Sequence, residues 1–372
     1  MSPQFEIQLI AVIVAVACSL PGVFLVLRKM SMMSDSITHT ILLGIVLAFF
    51  LTHDLSSPLL IAGAAFMGLA TVWLTETLNR TKLLSEDASI GIVFPLLFSI
   101  AIILITRYAG SVHLDTDSVL LGELAFAPFN RMILFGYDIG AKAIYSTLTL
   151  LLINLICIIV FFKELKVVTF DPILSAVLGI SPTLIHYGLM MLVSMTTVGA
   201  FEAVGSVLVV AFMIGPPATA YLLTDDLKHM LMLSTGIGAV NGISGFYLAS
   251  WLDVSISGSM AVTTGFVFFL VFITAPEKGF ISSIRRHKRQ KLDFSMKTLL
   301  FHLYQHEGSE AESQEAGLHT LSAHFRWDEA FTNKIVKYLL KEGNVSIENE
   351  VIKLTTKGRE LSDQEYKAIF SE

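Results

Sequence analysis

Asp35 and His39 are the two residues of this chain best placed to do chemistry. They sit in Met30-Ser-Met-Met-Ser-Asp-Ser-Ile-Thr-His-Thr-Ile-Leu-Leu-Gly-Ile-Val-Leu47, which runs on into Ala48-Phe49-Phe50-Leu51. A carboxylate and an imidazole at i and i+4 share one face of a helix. A central Asp in hydrocarbon costs about 2.5–3.5 kcal/mol on insertion scales, so such groups face a protein interior where they pair or meet an ion or a proton. One hard oxygen and one borderline nitrogen suit Mn, Fe or Zn. The plainer reading makes Asp35 a helix N-cap and His39 a packing histidine. Glu202, in Thr196-Thr-Val-Gly-Ala-Phe-Glu-Ala-Val-Gly-Ser206, is the second ionisable group of interest. It lies where two apolar segments adjoin, either as a guide for a cation at an outer mouth or as a solvated acid in a turn. His113, Asp115, Asp117 and Glu123 add an acidic loop surface.

The elements that must carry these residues are membrane spans. Of 372 residues 54% are hydrophobic and only 15% charged, too apolar for an ordinary soluble protein. Charge is concentrated late: residues 292–372 hold nine Lys/Arg and fourteen Asp/Glu, which leaves 16 and 17 for everything before. Hydropathy predicts spans over 7–27, 35–51, 58–78, 88–106, 143–162, 183–199, 203–223, 229–251 and 256–274, each near the ~20 residues a bilayer needs. Basic clusters lie at Arg28-Lys29, Arg80 with Lys82, Lys163 with Lys166, Lys228, and Lys278 through Lys291. Placing them inside puts the N-terminus outside and the C-terminus in the cytoplasm. In 107–142 a half-apolar stretch, Ser118 to Phe135, is expected to form a re-entrant or interfacial helix.

Ile7 to Leu27 is read as a retained first span. Residues before it carry Glu6 and no basic group, unlike the positive start of a signal peptide. Gly236, Gly238, Gly242 and Gly245 predict close helix contact rather than a nucleotide loop. Pro216-Pro217 is expected to kink or break its helix. Ser85-Glu86-Asp87 reads as an N-cap with acids in a first turn. Cys18 and Cys157 lie in apolar runs, which implies neither a disulfide framework nor a thiolate metal site. There is no G-x-x-x-x-G-K-[ST] loop, G-x-S-x-G or H-E-x-x-H. The chain is therefore not expected to be an enzyme, and any ATP that drives it must be used by a partner.

Four segments together resemble the ABC-transporter permeases that import manganese, zinc or iron. Asp35-Ser-Ile-Thr-His39 with Gly44 is similar to their D-x-x-S/T-H-x-x-x-x-G signature. Glu86-Asp-Ala-Ser-Ile-Gly-Ile92 resembles E-D-A-x-I-G-I. Phe170-Asp-Pro172 with Ala176-Val-Leu-Gly179 resembles F-D-P…A-x-x-L-G. Val204-Gly205 through Pro216-Pro-Ala-Thr-Ala220 resembles the family's V-G-x-x-L-V-V-A…P-P/A-A-T-A span. The chain departs at Thr38, where Ser is usual, and at Gly215-Pro216.

The resemblance implies a permease pairing with a second copy or a homologous permease, two cytoplasmic ABC ATPase subunits and an extracellular metal-binding lipoprotein, in a bacterial plasma membrane. It implies alternating access and a transported divalent ion with no permanently bound cofactor. The metal residues are then Asp35 and His39, which would offer ligands to the passing ion, and Glu202, which would guide it at the outer mouth as a separate station or share their site. It puts manganese first among the three metals. Asp171, Pro172, Ala176, Leu178 and Gly179 would form a short amphipathic coupling helix, closed by Gly179 and Pro182, that docks in the ATPase. Two other classes compete: a metal- or proton-coupled secondary transporter, although no inverted repeat is evident, and a membrane-tethered metal-responsive regulator.

The expected fold is thus an all-α polytopic membrane protein of about nine transmembrane helices over 1–276, a basic cytoplasmic linker over 277–291, and a small cytoplasmic α+β domain over 292–372 that resembles a winged helix. Its helices are expected at Phe294–His306, Leu318–Phe325 and Asp328–Leu340. A wing hairpin follows at Val345–Ile347 and Val351–Leu354, then the Leu354-Thr-Thr-Lys-Gly-Arg359 ending of metal-responsive repressors. Lys334, Lys337 and Lys341 favour DNA binding, but the domain's net −5 opposes it. A regulatory or assembly role is expected instead. His302, His306, His319 and His324 are candidates to sense metal or to be structural.

Overall fold

The computed structural model describes residues 2–54, 57–108, 124–134, 137–309, 315–317, 320–348 and 350–370. The chain divides into two compact units, Met1–Gly279 and Phe280–Glu372.

Hydrocarbon offers no water to satisfy peptide groups, so a spanning chain must close its hydrogen bonds within helices. The first unit does so with α1 (Pro3–Leu27), α2 (Ser31–Thr52), α3 (Pro58–Arg80), α4 (Glu86–Tyr108), α5 (Lys142–Val160), α6 (Phe162–Phe170), α7 (Pro172–Val177), α8 (Pro182–Val204), α9 (Ser206–Leu223), α10 (Leu227–Leu252) and α11 (Ile256–Thr274). Among the described residues nine helices are long and apolar enough to cross a membrane, all of these except α6 and α7. Each corresponds to one expected span, with ends shifted by a few residues. Ser85 caps α4 by accepting from the Ala88 N–H (3.3 Å).

The α1 helix forms the centre of the unit. Ile10, Ala11, Val14, Ala15 and Cys18 are fully enclosed, and the helix packs against α5, α8, α9 and α10. Between helices in lipid the attraction comes from close packing and polar contacts. Both occur here. Gly238 and Gly242 of α10 lie against Ala15 and Ala11 of α1, and Gly245 lies against the Met260 backbone of α11, whereas Gly236 meets nothing. Asn154 of α5 donates to the Ala17 carbonyl and to the Thr196 hydroxyl (both 2.8 Å), tying α5 to α1 and α8.

Two expectations about the backbone are corrected. First, of the kink or break expected at Pro216-Pro217, the break does not occur: α9 passes through both prolines as one helix. Pro217 cannot donate to the carbonyl of Met213, and that oxygen is instead what a side chain on Gly22 of α1 would strike. The bare Cα of Gly22 thus packs on the carbonyl released by proline, a contact of the weak Cα–H···O kind. The break falls earlier, at Gly205, whose φ of +82° joins α8 directly to α9. Second, the described part of Ser118–Phe135 is not a re-entrant helix. It is a single 3-10 turn (Ala127–Phe129) followed by a hairpin of β1 (Arg131–Leu134) and β2 (Tyr137–Ala141), with Ile133 opposite Asp138. Its polar anchor explains this. Arg131 donates to both carboxylate oxygens of Glu6, which is buried at the start of α1 (3.0 Å), and to both oxygens of Asp138 (2.8 and 2.9 Å).

The second unit contains α12 (Phe280–His306), α13 (Leu321–Phe325), α14 (Glu329–Glu342), the antiparallel hairpin β3 (Val345–Glu348) and β4 (Val351–Leu354), and α15 (Thr356–Phe370). Its core joins Leu299, Leu300 and Leu303 of α12 to Ile335, Val336 and Leu339 of α14 and Ile352 and Leu354 of β4. Most of the basic stretch 277–291 lies inside α12, so helix begins before the expected Phe294. Thr355-Thr-Lys-Gly-Arg359 does not end the domain. Thr355 accepts from the Gly358 N–H (3.1 Å) and opens α15.

Candidate functional site

Asp35 and His39 lie in the second and third turns of α2, after the Arg28–Met30 link from α1. His39 Nε2 is 3.6 Å from Asp35 Oδ1, as the i,i+4 spacing requires. The Asp35 side chain is 39% exposed and that of His39 27%, so neither is a satisfied core group. The His39 ring leans on Phe94 and Phe98 of α4 (centroids 5.4 and 5.7 Å apart). The pair therefore has one dry aromatic flank and one flank this chain leaves open. Asp35 does not begin the helix. Ser31 does, which removes the N-cap reading.

The helix that carries the pair is held on both sides. Thr71 of α3 donates to Thr40 (2.8 Å), and Ser34 donates to the Met213 sulfur of α9 (3.0 Å). Glu202 falls in the last turn of α8, and its side chain lies outside the described residues, as do His113, Asp115, Asp117 and Glu123. Its neighbour Phe201 packs with Ile41 and Ile45 of α2, beyond His39 along that helix.

The expected coupling segment is a helix of two turns. Asp171 caps α7 by accepting from the Leu174 N–H (2.9 Å), Pro172 occupies its first turn, and Gly179 stops it at φ +81°. Ser175 is buried and Ala176 lies on the same short helix. Ile173 (78% exposed), Val177 (80%) and Leu178 (60%) point outward. A short capped helix showing three large apolar side chains has the form of a docking knob.

A further cluster escaped the sequence reading. Beside the start of α8, Glu76 of α3 pairs closely with His186 Nε2 and accepts from the Tyr187 hydroxyl (2.7 Å). Arg28, at the end of α1, reaches His186 Nδ1 (3.4 Å) and donates to the Thr169 hydroxyl of α6 (3.1 Å). Burial pulls the Arg28 guanidinium down to about 10, still charged at neutral pH. With Arg28 donating to Nδ1, the Nε2–H of His186 faces Glu76, a tautomer inferred from the network. One polar cluster thus ties α1, α3, α6 and α8 together beside α7. An acid inside the expected span 58–78 was the available signal.

Residues 5–275 match the model of the ABC 3 transport family. The chain belongs to that family. It is 44% identical over 357 residues to the zinc transport system membrane protein TroD of Treponema pallidum, covering 96% of this chain and 97% of TroD. It is 47% identical over 281 residues to the manganese transport system membrane protein MntD of Bacillus subtilis, covering 75% and 95%. Among solved structures it is similar to PsaBC from Streptococcus pneumoniae in complex with Fab, at 28% identity and a TM-score of 0.63, covering 75% of this chain and 94% of that one. This ABC 3 permease is a multi-pass protein of the bacterial plasma membrane and the permease of a metal importer. A match over 96% of the chain must include most of Phe280–Glu372, so TroD shares the second unit.

Proposed function

We propose that this permease carries manganese inward by alternating access, and that Asp35 and His39 ligate the ion in transit. The observation that carries the reading is the Asp35–His39 pair, 3.6 Å apart on the open flank of α2. Two half-exposed ligands make an incomplete shell. A second permease, either a copy or a homologue, supplies further ligands across the open flank. Glu202 guides the ion from a metal-binding lipoprotein outside. No other prosthetic group is needed.

Separate ABC ATPase subunits in the cytoplasm drive the cycle. They receive the α7 knob, with Asp171 and Pro172 fixing its start, Ala176 its small inner face, and Leu178 and Gly179 its end. The Arg28–Glu76–His186 cluster passes movement of α7 to α1, α3 and α8. The oxygen–nitrogen pair accepts zinc and iron too; the lack of thiolate ligands speaks against a soft Cu(I) site, and the MntD likeness supports manganese. A secondary transporter would use the same pair without α7 having a receptor, which the outward Ile173, Val177 and Leu178 argue against.

The second unit is read as a winged-helix domain facing the cytoplasm, with β3 and β4 as the wing. Its acidic balance makes it an assembly or regulatory module rather than a DNA binder. The experiment is metal accumulation by cells that express the chain with its ATPase and lipoprotein. Manganese uptake that requires all three components is expected. Uptake that persists without the ATPase would favour the secondary transporter.

A further inference from the structure

The second unit brings together three ligand-bearing side chains that are scattered in sequence: His302 on α12, Glu315 in the segment that follows it, and His324 on α13. One ligand atom from each lies within 4.8 Å of the other two. His324 Nδ1 is 3.1 Å and His302 Nε2 3.6 Å from the same carboxylate oxygen, Glu315 Oε2. Zinc bonds of about 2.1 Å in a tetrahedron put neighbouring ligands about 3.4 Å apart, so two edges of such a polyhedron already have the right length.

Other features fit a cation better than a packed histidine cluster. Glu315 Oε2 is buried yet accepts no hydrogen bond among the described residues. His302 lies between two other imidazoles, with the rings of His306 and His324 each 4.7 Å away. Neighbouring imidazoles repel one another if protonated, whereas as neutral rings they offer lone pairs to a shared ion. His302 is almost wholly buried, and its Nε2 also lies 3.2 Å from the Glu315 carbonyl oxygen, a contact that a cation bound through Nε2 would replace. Phe325 packs edge-on against His302 and His324 and stacks on Trp327, which dries one side.

We infer that His302, Glu315 and His324, with His306 one turn along α12 as a fourth donor, form a second binding site for a divalent transition metal. Two to three nitrogens and one carboxylate oxygen select a borderline ion such as Zn, Fe or Mn over Mg or Ca, which prefer oxygen alone. The site belongs to the unit outside the membrane-spanning helices, so it reads the ion and does not pass it along. Its choice of ion rests on the importer reading, but the existence of the site does not.

The test uses the purified full-length chain in detergent, titrated with Co2+ and then with Zn2+. The Asp35→Ala/His39→Ala variant is expected to retain the visible absorption of Co2+ bound to imidazole and carboxylate, and Zn2+ to abolish it. Adding Glu315→Gln and His324→Gln should remove that absorption. Independently of any variant, Zn2+ should protect His306 and His324 of the wild-type chain from acylation by diethylpyrocarbonate while leaving the exposed His229 reactive. Absorption indifferent to Glu315→Gln/His324→Gln, or no protection by Zn2+, would overturn the site. Neither readout involves transport, so this inference and the importer reading fail separately.

Discussion

Gly44 of α2 and Gly63 of α3 meet face to face. A Cβ on Gly63 would lie 2.7 Å from the Gly44 carbonyl oxygen, and one on Gly44 would strike the carbonyl of Gly63. This is why the glycine that ends the Asp35-x-x-Thr-His39 motif cannot carry a side chain. It lets the helix with Asp35 and His39 lie directly on the helix with Glu76.

Gly44→Leu should force the helices apart. Overpacking of a tight contact costs about 1–3 kcal/mol, so a lower melting temperature in detergent and weaker uptake are expected. Gly236→Ala, placed where a Cβ meets nothing, is the control. It should melt at or slightly above the wild type, because Ala suits a helix interior better than Gly by about 1 kcal/mol.

Ile173→Glu or Val177→Glu should detach the ATPase. Both side chains point outward from α7, so the permease itself should fold and reach the membrane normally. Copurification with the ATPase measures this, with at least a tenfold loss expected. Undiminished copurification would remove α7 from the interface.

Glu76→Gln or His186→Ala should lower metal uptake per ATP hydrolysed more than it lowers ATPase binding. The cluster joins α1, α3, α6 and α8 at one end, and removing one member of a partly buried set strands the others. Reconstituted vesicles containing the partner subunits give the ratio. An unchanged ratio would reduce the cluster to a structural staple.

The Arg131 anchor makes a prediction about acid. The hydrogen bonds from Arg131, and then from the Gly140 N–H, hold the Asp138 carboxyl below its ordinary value. A depressed carboxylate stabilises the folded state above its unfolded value of about 3.9, and the effect is lost as pH falls through the folded value. The β1–β2 hairpin should therefore stay protected from hydrogen exchange from neutral pH down to about 4 and loosen below it. Asp138→Asn should loosen it at neutral pH.

How much of this was legible in the sequence depends on how local the cause is. The span 58–78 became α3, Pro58–Arg80, because a run of apolar residues needs no partner to declare itself. Asp35 and His39 were equally visible, one turn apart on one helix. The cluster of Glu76, His186 and Arg28 was not, because its members come from three helices and only packing brings them together. The doubled proline misled for the same reason. Whether Pro217 breaks a helix depends on what meets the freed Met213 carbonyl, and Gly22 lies far away in sequence. The hairpin after Pro128 was hidden by apolar residues whose spacing mimics a helix face.

The most direct test of the account is radiolabelled manganese uptake by cells that lack their own manganese importers and express this chain with its ATPase and lipoprotein. Wild-type chain is compared with Asp35→Ala, His39→Ala and the double variant, each at equal membrane abundance and equal ATPase copurification. The account predicts that uptake falls to background in the double variant and at least tenfold in each single one. Full uptake by the double variant would contradict it, because an ion that crosses without these ligands takes another path.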